Sequence, residues 1–379
     1  MITVDNLSVF FELVRAGLWE NIPVYGEGLM LNGSSNVDWD EVYQLASEQS
    51  VIGVVLAGIE HSWVKPSQEL LLQWIGEVQM LEQQNKEMSK FVAKLIEKLR
   101  CQDVYAILVK GQGIAQCYEK PLWRASGDVD LLLSNSNYFK AKEILLPLAS
   151  SVENENKKAL HLGMTINDWV VELHGTLHSC CLPKMDKVVE EVEKSVFYGG
   201  EVRSWTNGYT QVFLPSPDND LFFVFSHIIK HFFNGGIGLR QICDWCRLLW
   251  TYKGSLNHEL LESRVRKSGL MSEWKVFAAL AVDYLGMPKE AMPMYSSDGK
   301  WSRKAQRLRD YIIEVGNFGQ NRCEMTTNQP SLVKQKMSAF KLYTGDGFKQ
   351  FAIFPLDSIR IWLWIMKTGI STMFNRNGK

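Results

Sequence analysis

The chain has 379 residues, of which 46% are hydrophobic, a composition that predicts a large core and argues against disorder. Its formal net charge is −1, whereas a protein that coats nucleic acid normally carries a basic surplus, so we expect no extended nucleic-acid binding. The seven cysteines form no disulfide framework, Asp5 and Glu12 interrupt any signal-peptide run, and no run of about 18 uncharged apolar residues predicts a membrane span. These features predict a cytoplasmic protein without a transmembrane segment.

Residues 1–100 are predicted to form an N-terminal helical region, because apolar residues recur there at helical spacing. The longest run, 67–99, predicts one amphipathic helix packed on the rest of the protein, unless it breaks near 83–85. Its heptads are too irregular to favour a coiled coil. The shorter predicted helices cover 5–19, a stretch capped at Asp38 or Asp40 that runs toward Gln49, and 51–59.

Residues 101–215 alternate between strand-like and helix-like patterns and form the predicted catalytic core. Helices are expected over 111–118 and 138–149. Asn207-Gly208 favours a tight hairpin turn between the last two strands. The predicted strands cover 104–109, 127–133, 159–165, 169–175, 202–205 and 209–214.

Residues 216–379 form the predicted C-terminal helical region, with a polar loop at 316–332. Its last part, 351–374, is rich in Ile, Trp and Phe. We expect this segment to pack on the core, with peripheral contact with a membrane surface as the weaker alternative. The segment 333–374 near the end of the chain is also predicted to be helical. The other predicted helices cover 218–233, 239–252, 257–267, 272–285 and 300–315.

Two carboxylates are predicted to share one face of a strand. Asp128 and Asp130 alternate with the apolar Val129, and alternate residues of a strand point to the same side. An acid pair beside a buried strand is costly without a cation, and Mg²⁺ prefers oxygen ligands. Glu172 and His174 alternate in the same way in a later strand. If the two strands are neighbours, three acids converge in a geometry suited to two metal ions and to phosphoryl or nucleotidyl transfer. The alternatives to metal binding are that Asp128 and Asp130 belong to a charged turn and that Glu172 is a solvated strand residue.

An ordered set of motifs resembles a known family. Lys-Gly-x-Gly-Ile-Ala begins at Lys110, Arg124 follows, Gly-Asp-Val-Asp-Leu-Leu begins at Gly127, and Val-Glu-Leu-His begins at Val171. This order is similar to the uncharacterised bacterial nucleotidyltransferase family of the polymerase-β-like superfamily, over roughly residues 38–250. The family's later helical pattern of two histidines, an arginine and an aspartate is matched by His227, His231, Arg240 and Asp244.

The resemblance implies an α+β fold, with a polymerase-β-like core sheet flanked by helical regions at both ends. It also implies two-metal transfer of a nucleoside monophosphate from an NTP such as ATP to a hydroxyl acceptor, with release of pyrophosphate. Asp128, Asp130 and Glu172 would be the catalytic, metal-binding residues for Mg²⁺ or Mn²⁺. The expected nucleotide-binding residues are Lys110, Gly111, Gly113, Arg124 and His174, and His227, His231, Arg240 and Asp244 form a possible substrate-side network.

Several alternatives stay open at this point. Gly111 and Gly113 could serve packing alone, and Lys110 could cover the strand edge. Arg124 could be a surface arginine paired with Glu119, and His174 could have a structural role. The acceptor is unidentified and could be a small molecule, a protein or an RNA, and a nucleotide-binding regulatory protein without turnover is the alternative from another class.

Overall fold

A computed structural model describes residues 6–19, 37–62, 64–179, 181–317 and 347–374 of the chain, the last ten of these by their backbone only. Helices surround one mixed seven-stranded sheet. This arrangement confirms the predicted α+β class. Most of the predicted loop at 316–332 and the first part of the predicted helical segment at 333–374 lie outside the described residues.

The sheet has the order β3-β4-β5-β2-β1-β7-β6. The pairs β2–β5 and β1–β7 are parallel, and the other neighbours are antiparallel. The strands cover Ile107–Val109 (β1), Asp128–Leu132 (β2), Ser151–Val152 (β3), His161–Ile166 (β4), Trp169–His174 (β5), Val202–Asn207 (β6) and Thr210–Pro215 (β7).

The register of the central strands brings the acidic motifs side by side. Asp130 of β2 pairs with Glu172 of β5, so two predicted metal ligands are direct neighbours across a parallel pair. Val129 and Leu131 are fully buried, as the strand alternation predicts for the face opposite the aspartates. The convergence of the three acids required that these two strands are neighbours. The structure meets this condition.

Four helices precede the sheet in the chain, and the last of them packs against the final two strands. Asp38, one of the two predicted caps, accepts hydrogen bonds from the backbone N–H groups of Asp40 and Glu41. The long helix runs without a break through 83–85, where Asn85 is buried and donates hydrogen bonds to the carbonyls of Leu122 and Arg124. These helices cover Asn6–Leu18 (α1), Trp39–Glu48 (α2), Ile52–His61 (α3) and Gln68–Arg100 (α4).

Most of the remaining helices agree with the predicted segments, with shifts at their ends, but the helix Pro183–Tyr198 was not predicted. The helix expected over 111–118 is a single short turn, and the one expected over 138–149 starts earlier and ends in a 3₁₀ turn at Leu146–Leu148. The helices are Gly111–Ala115 (α5), Asn135–Leu145 (α6), Pro183–Tyr198 (α7), Pro217–Asn234 (α8), Leu239–Tyr252 (α9), His258–Ser268 (α10), Met271–Asp283 (α11), Gly299–Val315 (α12) and Pro355–Phe374.

Two strand predictions need correction. The strand expected at 104–109 begins only at Ile107, where its pairing with β2 starts, and the N–H of Val104 instead donates to the carbonyl of Leu99 at the end of α4. The hairpin turn consists of Gly208 and Tyr209, since Asn207 still pairs with Thr210. Gly208 has φ +62°, and a glycine at the first turn position is what a type II′ hairpin turn requires.

Buried side chains form two clusters on either side of the sheet. One cluster lies between the sheet, α4 and α6, and includes Leu108, Val129 and Tyr138. The larger one joins helices from both ends of the chain, including Phe10 and Trp245. Among the described residues, no helix has the length and apolar character that crossing a bilayer requires.

Candidate active site

A cavity of about 290 Å³ lies where the ends of β1, β2 and β5 face α8 and α9. All of the predicted site residues except Gly113 and His174 line it. The sequence motifs therefore meet at one place although they are spread over 135 positions of the chain, from Lys110 to Asp244.

The three predicted metal ligands converge on this cavity. Carboxylate oxygens of Asp128, Asp130 and Glu172 all lie within 4.8 Å of one another. The negative charge of Asp130, together with burial, raises the pKa of Asp128 above its ordinary value. Burial opposes ionisation of Asp130 as well, but Lys110 and His174 outweigh it and lower the pKa of Asp130. The cluster is thus an anionic site whose members repel one another unless a cation lies between them.

Lys110 provides such a cation in the present structure. Its ammonium lies 2.7 Å from Oδ1 of Asp130, a carboxylate that is almost completely buried. Burial alone would lower the pKa of Lys110, but the neighbouring carboxylates, Asp130 foremost, hold that pKa above its ordinary value. The residue joins β1 to α5 with φ +60°, an uncommon conformation for a residue with a side chain. Lys110 is therefore a member of the acid cluster and not only a cover for the strand edge.

Two histidines contact the same carboxylates from β4 and β5. His174 Nε2 lies 2.7 Å from Asp130 Oδ1 and 3.3 Å from Glu172 Oε2. His161 Nε2 lies 3.2 Å from Glu172 Oε2. Burial opposes ionisation of Glu172, but the contacts with His161 and His174 outweigh it and hold the pKa of Glu172 far below its ordinary range.

His161 was missed by the sequence analysis. It stands directly opposite His174 in the antiparallel pair of β4 and β5. The predicted strand 159–165 contained it, and a histidine in a strand next to a Glu-x-His strand is the signal that could have found it. That signal becomes specific only once the register of the two strands is known.

The two glycines of the Lys-Gly-x-Gly motif have different positions. Gly111 lines the cavity with φ +39°, in the region that favours glycine. Gly113 faces away from the cavity, and a Cβ added there would lie 2.7 Å from Cδ2 of Leu214. For Gly113 the packing alternative therefore accounts for the missing side chain.

Arg124 forms a buried ion pair with Asp244 of α9. Its Nε and Nη2 donate to the two carboxylate oxygens at 3.1 and 2.5 Å, and the hydroxyl of Tyr118 donates to the same carboxylate at 2.8 Å. The alternative that Arg124 is a surface residue paired with Glu119 is wrong, because Glu119 instead lies 3.5 Å from Arg247. Arg124 thus ties the segment before β2 to α9, on the cavity wall.

The remaining predicted residues line the cavity from α8 and α9. Arg240 donates a hydrogen bond to the carbonyl of Ala125 at 2.9 Å, so it fixes the same segment as Arg124. The rings of His227 and His231 lie 4.2 Å apart, one turn from each other on α8. Burial, and then the charge of Lys110, lowers the pKa of His227 well below its ordinary value and that of His231 to about 3. Both are therefore neutral near pH 7 and offer hydrogen bonds without charge.

A comparison with known protein families shows which family the chain belongs to. The model of a family described as an uncharacterised nucleotidyltransferase matches residues 35–286, more than half of the chain. The protein belongs to this nucleotidyltransferase family. No match was found among the curated proteins or among the solved structures.

The matched region of this nucleotidyltransferase extends the resemblance seen in the sequence at both ends. It contains every residue of the cavity wall, all seven strands and the helices α2–α11, whereas α12 and the last helix lie beyond it. Membership of a nucleotidyltransferase family implies a nucleotide substrate. The cavity that Asp128, Asp130 and Glu172 line lies within the match.

Proposed function

We propose that the protein moves a nucleoside monophosphate from an NTP to a hydroxyl acceptor and releases pyrophosphate. The observation that supports this most is the convergence of Asp128, Asp130 and Glu172 on one cavity in a chain of a nucleotidyltransferase family. Three carboxylates on neighbouring strands are a ligand set for hard divalent ions, and such ions promote in-line displacement at phosphorus.

The carboxylate cluster fits a divalent ion on its own chemistry. Asp130 already holds an ammonium ion, that of Lys110, at 2.7 Å. The repulsion from Asp130 that raises the pKa of Asp128 favours additional positive charge beside the cluster. We propose Mg²⁺ or Mn²⁺ as the ion, held by Asp128, Asp130 and Glu172. When bound, it would act as a Lewis acid on phosphoryl oxygens.

The remaining wall residues bind and orient the nucleotide in this proposal. Gly111 has no side chain and lines the cavity, so the backbone there lies open to a phosphate group. Lys110 supplies an ammonium group on the cavity wall that would bind a phosphate oxygen. Arg124 and Arg240 hold the loop before β2 in place through Asp244 and Ala125. Because catalysis of phosphoryl transfer rests on position and charge, these contacts supply much of what the reaction needs.

We propose that His227 and His231 on α8 contact the substrate. His227 and His231 are neutral and half-buried in the cavity. Neutral imidazoles donate and accept hydrogen bonds but do not attract a second phosphate as a charged lysine would. They suit the uncharged hydroxyl or base portions of a substrate better than its triphosphate.

The product formed from a γ-labelled NTP tests this function. The purified protein is incubated with the NTP, Mg²⁺, an inhibitor of pyrophosphatase and a cell extract as the source of acceptor. We expect the wild-type protein to release more labelled pyrophosphate than the Asp128→Asn, Asp130→Asn double variant does. Label that appears on an acceptor, with no excess of pyrophosphate, would show transfer of the γ-phosphoryl group and overturn the proposal.

A further inference from the structure

We infer that His161, Glu172 and His174 form a second metal site, which selects a transition-metal ion of the Zn²⁺ type over Mg²⁺. One ligand atom of each residue lies within 4.8 Å of the others. This site shares Glu172 with the proposed Mg²⁺ ligands Asp128, Asp130 and Glu172, and differs from that set in its two histidines. The inference does not rest on nucleotidyl transfer, because it concerns metal binding in the absence of a nucleotide.

The backbone brings the three ligands together on one face of the sheet. His161 of β4 and His174 of β5 are direct partners in an antiparallel pair. Glu172 precedes His174 by two residues, so its side chain leaves the strand on the same side. The two imidazole rings lie 4.8 Å apart and are tilted by 37°. Three side chains from two rigid, neighbouring strands are preorganised, so little order has to be created when an ion binds.

The distances fit a tetrahedral ion. His161 Nε2 and His174 Nε2 lie 3.2 and 3.3 Å from the same carboxylate oxygen, Oε2 of Glu172. Bonds from Zn²⁺ to nitrogen and oxygen of about 2.0–2.1 Å at tetrahedral angles place neighbouring ligand atoms about 3.3 Å apart. An ion can therefore enter between the three atoms without a large movement of the strands.

The donor chemistry separates this site from the carboxylate cluster. Two imidazole nitrogens and one carboxylate suit Zn²⁺ and related ions, whereas Mg²⁺ prefers oxygen ligands alone. One contact must change on binding, since His174 Nε2 also lies 2.7 Å from Asp130 Oδ1. Asp130 keeps Lys110 as its partner when the imidazole turns its nitrogen to the ion. His161 and Glu172 have side chains 33% and 27% exposed, which gives the ion a path from solvent.

Titration with Co²⁺ as a spectroscopic substitute for Zn²⁺ tests the site in the full chain without nucleotide. The wild-type protein should gain a visible absorption band typical of four-coordinate Co²⁺, and Zn²⁺ but not excess Mg²⁺ should remove it. His161→Gln should weaken Co²⁺ binding at least about tenfold, because even loss of an outer partner of a metal ligand costs that much. The matched control His258→Gln, which alters an exposed histidine on α10, should bind Co²⁺ as the wild type does.

Three results would overturn the inference. Unchanged Co²⁺ binding in folded His161→Gln, checked by circular dichroism, would show that His161 only hydrogen-bonds to Glu172. Loss of the band in Asp128→Asn with retention in His161→Gln would assign the ion to the carboxylate cluster instead. Should His161→Gln not fold, His161→Asn provides the same comparison. The absence of any visible band in the wild-type protein contradicts the inference without a variant.

Discussion

The ammonium of Lys110 lies 2.7 Å from Oδ1 of Asp130, a carboxylate that is 2% exposed, and so places a positive charge within the acid cluster. The pair links the first strand of the core to the second, at the edge where the cavity opens. A divalent ion at the same carboxylates would compete with this lysine for Asp130. Metal binding and the stability of the metal-free protein are therefore coupled through one side chain.

Replacing Lys110 should separate these two effects. Lys110→Met is expected to lower the free energy of unfolding of the metal-free protein by on the order of 3 kcal/mol, because it leaves Asp130 buried with only His174 as a partner. The stabilisation by Mg²⁺ or Mn²⁺ should become larger than in the wild type. Thermal unfolding with and without the ion measures both. In the Asp128→Asn, Asp130→Asn control the ion should no longer raise Tm, and a shift equal to that of the wild type would remove these aspartates from the metal site.

The two glycines of the motif should respond differently to substitution. Gly113→Ala is expected to lower stability by about 1 kcal/mol or more through its clash with Leu214, while nucleotide affinity stays near that of the wild type. Gly111→Ala should weaken NTP binding by at least about tenfold, because its Cβ narrows the approach to the backbone and its positive φ is strained. Isothermal titration of each NTP with Mg²⁺ measures the affinities. Equal loss of affinity in both variants would contradict the different positions of the two residues.

The ion pair between Arg124 and Asp244 should contribute to stability far more than an exposed pair. Asp244→Asn is expected to cost about 3 kcal/mol, since it leaves the Arg124 guanidinium buried and without its anion. Asp310→Asn is the matched control, because the pair of Asp310 with Arg309 is exposed and such pairs contribute about 0–1 kcal/mol. Denaturant unfolding compares them, and similar losses in both variants would show that burial gives the Arg124 pair no special weight.

The docking of the last helix should depend on pH. Burial, and then the neighbouring carboxyl of Asp357, raises the pKa of Glu273 to about 8. The folded protein therefore keeps a proton that the unfolded chain loses above its ordinary pKa of 4.5. This contribution to stability is complete below pH 4.5 and is lost as the pH rises through about 8. Tm should fall across that window in the wild type and less so in Glu273→Gln, and parallel pH profiles of the two proteins would contradict this origin.

Much of the site could be predicted from the sequence, because its core follows from local periodicity. Asp128 and Asp130 share a face whenever 127–133 is a strand, so their convergence needed no tertiary information. Glu172 required one further condition, the pairing of β5 with β2, which the parallel register meets. The order of the motifs pointed to a known family, and that resemblance implied that the two strands lie close together.

Other contacts could not be predicted, because they depend on elements far apart in the chain. Arg124 and Asp244 are 120 residues apart, and only the packing of α9 against the segment before β2 makes them partners. His161 joins the site through the register of β4 and β5, and a shift of one residue would turn it to the opposite face. The packing role of Gly113 depends on Leu214 of β7, a strand at the other side of β1.

Transfer of label from an α-labelled NTP tests the central claim most directly. The wild-type protein with Mg²⁺ and a cell extract should place label from the α position on an acceptor, whereas a γ-labelled NTP should not label that acceptor. Asp128→Asn with Asp130→Asn, and separately Glu172→Gln, should abolish the transfer. Label on the acceptor only from the γ position, equal transfer by the variants, or no transfer from either position would contradict nucleotidyl transfer at Asp128, Asp130 and Glu172.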